Sequence, residues 1–171
     1  ISYDTLNYDY SSEILDQENS SSNASAGATS QWQSFTVSNS GILSKVSWKI
    51  ANPVIDGNPQ PIKISLYRGE GDNGSLLAES QNLLTPPFRD NNGNYISSQF
   101  IDFDLSSENV TVTTDEVLTM KLVLTSGNQN VGFLDVNTQN SYSRGRGSNS
   151  ANWDYIFKVY MKPVDLSLIH I

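Results

Sequence analysis

The sequence predicts an all-β fold: an antiparallel β-sandwich of seven to eight or more strands, or the closed barrel that the same pattern allows. Three observations predict it. Short segments alternate apolar and polar side chains with period two, as a strand with one buried face requires. Clusters of Gly, Asn, Asp and Ser separate these segments, and those residues make tight turns. No stretch repeats apolar residues at helical spacing. At 171 residues the chain suits one domain, and a domain of that size buries roughly 70% of its unfolded surface, so the core alone can hold it together.

Taken in order, residues 1–14 are tyrosine-rich, with Tyr3, Tyr8 and Tyr10, and read as a linker or a peripheral strand. Residues 17–30 hold few apolar side chains and read as a long loop. Gln33–Val37 buries Phe35 and Val37, and Ser38–Gly41 turns the chain. Val46, Trp48 and Ile50 then alternate with Lys45, Ser47 and Lys49. Asp56-Gly57 marks a turn between Pro53 and Pro59, and Ile62, Ile64 and Leu66 form the next strand. A polar loop at Gly69–Gly74 precedes a short strand at Leu76–Ser80, and residues 85–95 form another loop. Strands follow at Gln99–Leu105, Leu118–Leu124, Val131–Val136 and Tyr155–Met161, with Ser126-Gly127-Asn128 ending the second of these. Phe35, Trp48, Phe103 and Phe157 are the expected core anchors. The sandwich should occupy 15–162, with 163–171 as a tail.

Charge and composition exclude several function classes. The formal net charge is −8 and the pI about 4.4, which disfavours nucleic-acid backbones and anionic lipid. No apolar run approaches the ~18 residues of a spanning helix, so membrane insertion is not expected. With no cysteine, disulfides, thiolate metal sites and thiol catalysis are excluded. The one histidine, His170, lies in the tail, so no Ser-His-Asp or His-ligated zinc site is available. Asp102 and Asp104 share a strand face beside Phe103, which reads as the solvated side of a half-buried strand rather than a glycosidase pair. No catalytic residue is assigned, and the chain reads as a non-enzyme.

Two constellations remain. Asp and Asn in glycine-bent loops offer oxygen ligands to a structural Ca²⁺; Glu70, Asp72 and Asn73 form one such set, beside 56–58 and 90–94. Ordinary turn chemistry accounts for the same residues. The most unusual stretch is Asn137–Trp153, where Tyr142, Arg144, Arg146, Asn152 and Trp153 combine aromatic faces with hydrogen-bond donors in a flexible frame, as a shallow sugar site needs. The plain alternative is a long solvent loop in which Trp153 plugs the sandwich end. Sequons at Asn19, Asn23, Asn73 and Asn109 are what chance provides in so Asn- and Ser-rich a chain.

Gln33-Ser34-Phe35-Thr36-Val37, followed by Gly41-Ile42-Leu43-Ser44-Lys45-Val46, resembles the opening of a bacterial secreted or cell-surface jelly-roll-like β-sandwich module. The hairpin from Tyr67 through Gly69, Gly71 and Gly74 to Leu76-Leu77-Ala78 is similar to that module's next strand pair, and Thr113–Leu118 with Lys121–Leu124 to its late core strand. Tyr142, Gly145, Trp153 and Phe157 fit its Gly/aromatic end. The resemblance covers roughly 14–161, with an insertion at 85–98. It implies an extracellular or cell-surface location and attachment to adhesins or secreted enzymes.

Ile1 opens without a basic region leading into an apolar core, so an export signal is expected to have been removed already. Leu166–Ile171 resembles the translated end of a sequencing-library adapter on a metagenomic fragment, with an ordinary C-terminal strand as the alternative; the natural chain would then continue past Asp165. The resulting expectation is a non-catalytic binding or adhesion module whose partner is a glycan. Its alternative is a structural subunit or spacer of a surface fibre, phage tail or filament, in which Ile1–Ile14 adds to a neighbouring subunit's sheet edge.

Overall fold

Period-two alternation gathers the apolar side chains of many short strands between two antiparallel sheets, in a computed structural model that describes residues 11–27, 31–50, 59–87, 89–125, 133–148 and 150–164. Among these residues the strands are β1 (Ile14–Asn19), β2 (Ala24–Gly27), β3 (Trp32–Thr36), β4 (Gly41–Ile50), β5 (Pro61–Arg68), β6 (Leu76–Glu79) and β7 (Leu83–Leu84). They continue with β8 (Gln99–Asp104), β9 (Thr111–Val112), β10 (Val117–Leu124), β11 (Phe133–Asn137), β12 (Asp154–Tyr155) and β13 (Phe157–Pro163).

The eight-stranded sheet centres on β4, which pairs with β13 (Trp48 opposite Phe157), with β8 and β9, and at Ile50 with β11. Strand β1 extends the sheet beyond β13, and β2 and β12 pair with β11. The five-stranded sheet runs β3-β10-β5-β6, with β7 also on β5. Inward side chains of both sheets meet in one core, where Phe35 of β3 lies 6.3 Å from Phe157 of β13 across the sheets, and within the eight-stranded sheet Trp48 of β4 lies 5.2 Å from Tyr155 of β12. All four expected anchors, Phe35, Trp48, Phe103 and Phe157, are fully buried. Each such side chain contributes about 1.5–3 kcal/mol.

The expectation that 17–30 is a loop is corrected, because that stretch contains the end of β1 and all of β2. Edge strands are held by main-chain hydrogen bonds and need no apolar alternation. Gln17 and Asn19 of β1 are buried polar residues, and the Asn19 amide donates to the Tyr155 carbonyl at 2.9 Å. That burial also removes the Asn19 sequon from the surface. Ile14, expected in a linker or peripheral strand, or in a strand donated to a neighbour, lies in edge strand β1 and pairs with Met161 of its own chain. The turns expected at 53–58 and 126–128, and the tail with His170, lie outside the described residues.

Candidate functional site

Segment 140–148 crosses the open edge of β3 and is tied to it along its length. Ser34 N–H donates to the Arg146 carbonyl at 2.9 Å, and Arg146 N–H returns a bond to Ser34 Oγ at 2.9 Å. Thr36 Oγ1 donates to the Arg144 carbonyl at 2.7 Å, and Gln33 forms a bridge with Gly147. Two glycines permit this approach. A Cβ on Gly145 would overlap the Ser34 carbonyl, lying 2.6 Å from its carbon, and one on Gly147 would lie 2.6 Å from the Trp153 carbonyl oxygen. Glycine is the residue that lets two backbones come this close. The flexible frame expected here is therefore corrected to a fastened, strand-like edge.

A buried polar network fixes the start of the segment. Tyr142 is only 7% exposed and sets its ring edge-on to Phe157 at 5.0 Å. Its hydroxyl donates to Gln17 Oε1 at 2.7 Å, and burial pushes its pKa up to about 12. Asp154 is fully buried. It accepts Tyr142 N–H at 3.0 Å and Gln33 Nε2 at 3.3 Å, while Gln33 Oε1 accepts Tyr155 N–H at 2.8 Å. Desolvation raises the Asp154 carboxyl above the usual range, and the two donated bonds offset part of that.

Beside this segment opens a shallow surface cleft of about 360 Å³. Arg144, Arg146, Asn140, Ser143 and Glu70 supply its polar rim, and Val117, Gly145 and Ala151 its apolar strip. Arg144 is braced by Ser38 Oγ at 2.5 Å, the Val37 carbonyl at 3.3 Å and Asp115 at 3.4 Å. Arg146 is held by its Nε on Glu70 Oε1 at 2.7 Å, with its guanidinium 5.4 Å from the Trp32 ring centre. Glu70 reaches this point because the 69–74 loop folds over the outer face of the second sheet. There Gly71 N–H donates to Thr119 Oγ1 at 2.9 Å, and Thr119 Oγ1 donates to the Gly69 carbonyl at 2.7 Å.

Of the residues expected to bind ligand, the structure brings Arg144 and Arg146 to the cleft. Tyr142 turns to the core, and Trp153 is half-buried against it. Asn152 is exposed outside the lining, its carbonyl accepting Asn140 N–H at 2.9 Å. Sequence reasoning singled out neither Asn140 nor Ser143, although both lie in the stretch it marked, and it gave Glu70 to calcium. Nothing in the sequence joins Glu70 to a loop 76 positions away.

Two of the expected calcium ligands hold cations of the protein itself. Asp72 pairs with Lys121 at 2.6 Å, which keeps its carboxyl below the ordinary value, and Glu70 pairs with Arg146. Asn73 is exposed. Among the described residues no group of three or more His, Cys, Asp or Glu is placed to hold a metal ion. In the 90–94 loop, Asp90 accepts Asn92 N–H at 2.8 Å and Asn94 N–H at 2.9 Å and so shapes the turn at Gly93, whose φ is 81°. Asp102 is engaged by Lys45 at 3.2 Å and Ser47 at 2.5 Å, and Asp104 accepts Ser106 N–H at 2.8 Å. The Asp56–Asn58 loop lies outside the described residues.

The fold and the cleft stand without a relative to compare them with, since no protein-family model, curated protein or solved structure matches this chain.

Proposed function

We propose that the chain is a non-catalytic, extracellular or cell-surface module that binds glycan, with the cleft along segment 140–148 as its ligand surface. One observation carries the reading: polar side chains are braced in advance around an open cleft of about 360 Å³. Arg144 and Arg146 are held from behind by Ser38, Asp115, Glu70 and Trp32, so little side-chain entropy remains to be lost on binding. Polar donors and acceptors around a small apolar strip match a sugar, which presents hydroxyls at its edge and C–H groups on its face. The absence of a histidine outside the tail supports the non-catalytic part.

A glycan array probed with the intact chain, with and without Ca²⁺, tests the proposal. Retained binding to a defined set of saccharides is the expected result, and a blank array under both conditions overturns it. The structural-subunit reading has one observation in its favour. Strands β6 and β7 edge the second sheet, and Leu76 and Leu84 there are 52% and 63% exposed, an apolar edge of the kind that accepts another strand. Light scattering at rising concentration separates the two: a strict monomer leaves strand addition without support.

A further inference from the structure

We infer that the cleft recognises a neutral saccharide through a pair of adjacent hydroxyls, read by Glu70 and Arg146 without a metal ion; this rests on the glycan-binding reading above. Arg146 uses Nε on Glu70 Oε1 at 2.7 Å. Neither its two Nη atoms nor Glu70 Oε2 has a hydrogen-bond partner among the described residues. Both side chains stay open to water, at 42% and 49% exposure. The result is a donor fork beside an acceptor, joined at one contact.

A hydroxyl both donates and accepts, whereas guanidinium only donates and carboxylate only accepts. Two neighbouring hydroxyls satisfy the pair together: one accepts from an Arg146 Nη, and the other donates to Glu70 Oε2. An anion can use only the arginine half, and Glu70 repels it. The wider charge balance points the same way. Arg144 and Arg146 are matched by Asp115 and Glu70, and the whole chain carries −8, so no positive excess is left to attract an acidic sugar. The amide of Asn140 and the hydroxyl of Ser143, both exposed, add groups that donate and accept. A metal-bridged diol would need carboxylates free of protein cations, and Glu70 and Asp72 are engaged by Arg146 and Lys121.

The test uses the intact chain and calorimetric titration. The probes are neutral manno-, xylo- and cello-oligosaccharides, with oligogalacturonate as the acidic probe, each in EDTA and in Ca²⁺. A neutral saccharide should bind equally in both buffers, and the same saccharide should lose binding after periodate has cleaved its vicinal diols. Glu70→Gln and Arg146→Lys should each weaken binding by about tenfold or more, as expected when a bond to a charged group is lost. Thermal midpoints within a few degrees of the parent show that the variants fold. Binding of the acidic probe alone, binding that requires Ca²⁺, or affinity unchanged in both variants overturns this inference and leaves the glycan reading standing. Failure of every neutral probe to bind overturns this inference, whereas only a blank array overturns the glycan reading.

Discussion

Gly145 is where a single methyl group reports whether segment 140–148 is built into the fold. In Gly145→Ala the new Cβ overlaps the Ser34 carbonyl and lies 3.0 Å from Tyr142 Cε1. The Ser34 contact is with backbone inside a sheet, so the segment must move away. Three hydrogen bonds are then at stake: Ser34 N–H to the Arg146 carbonyl, Arg146 N–H to Ser34 Oγ, and Thr36 Oγ1 to the Arg144 carbonyl. At about 0.5–1.5 kcal/mol net for each, the expected loss is roughly 1.5–4.5 kcal/mol. For a chain of this size that lowers Tm by about 3–18 °C. Urea unfolding with the slope m unchanged reads the loss directly. A variant within about 0.5 kcal/mol of the parent would refute the claim that the segment is fastened to β3.

Tyr142→Phe removes a hydroxyl that donates to Gln17 and accepts Thr36 N–H; it should cost about 1–2 kcal/mol in urea unfolding while leaving saccharide affinity unchanged, since its ring faces the core, and a selective loss of affinity would contradict that placement. Asp154→Asn tests the buried carboxylate. Burial raises its folded pKa above the unfolded value of ~3.9, so the ionised form is penalised in the folded chain at neutral pH. The penalty is relieved as pH falls through the raised pKa and is gone below the unfolded one. The parent should therefore gain stability relative to the variant on acidification from about pH 7 towards pH 4, and a difference that stays flat across that window would contradict the burial argument.

The strands that hold the core were legible because burial on one face writes itself as alternation. Val46, Trp48 and Ile50 mark β4, and Ile62, Ile64 and Leu66 mark β5, and all six are fully buried. Strands β1 and β2 were not legible, because Gln17, Asn19, Ala24 and Ser25 are held by main-chain pairing and side-chain hydrogen bonds. Segment 140–148 has a related disguise. Gly145 and Gly147 face the sandwich where apolar side chains would ordinarily announce a strand, while Arg144 and Arg146 alternate outward. The Arg144 and Arg146 side of the cleft follows from that alternation. The Glu70 side depends on how the 69–74 loop folds over Thr119 and Lys121, a long-range contact that local pattern does not encode.

The most direct test of the cleft as the ligand surface is a titration of the ¹⁵N-labelled chain with whichever saccharide the array retains, followed by NMR. The account predicts that shifts concentrate at the backbone amides of Ser143, Gly145 and Arg146 and at the Arg146 Nε–H that bonds Glu70. Shifts confined to the 89–95 hairpin or to the outer face of the eight-stranded sheet would contradict it.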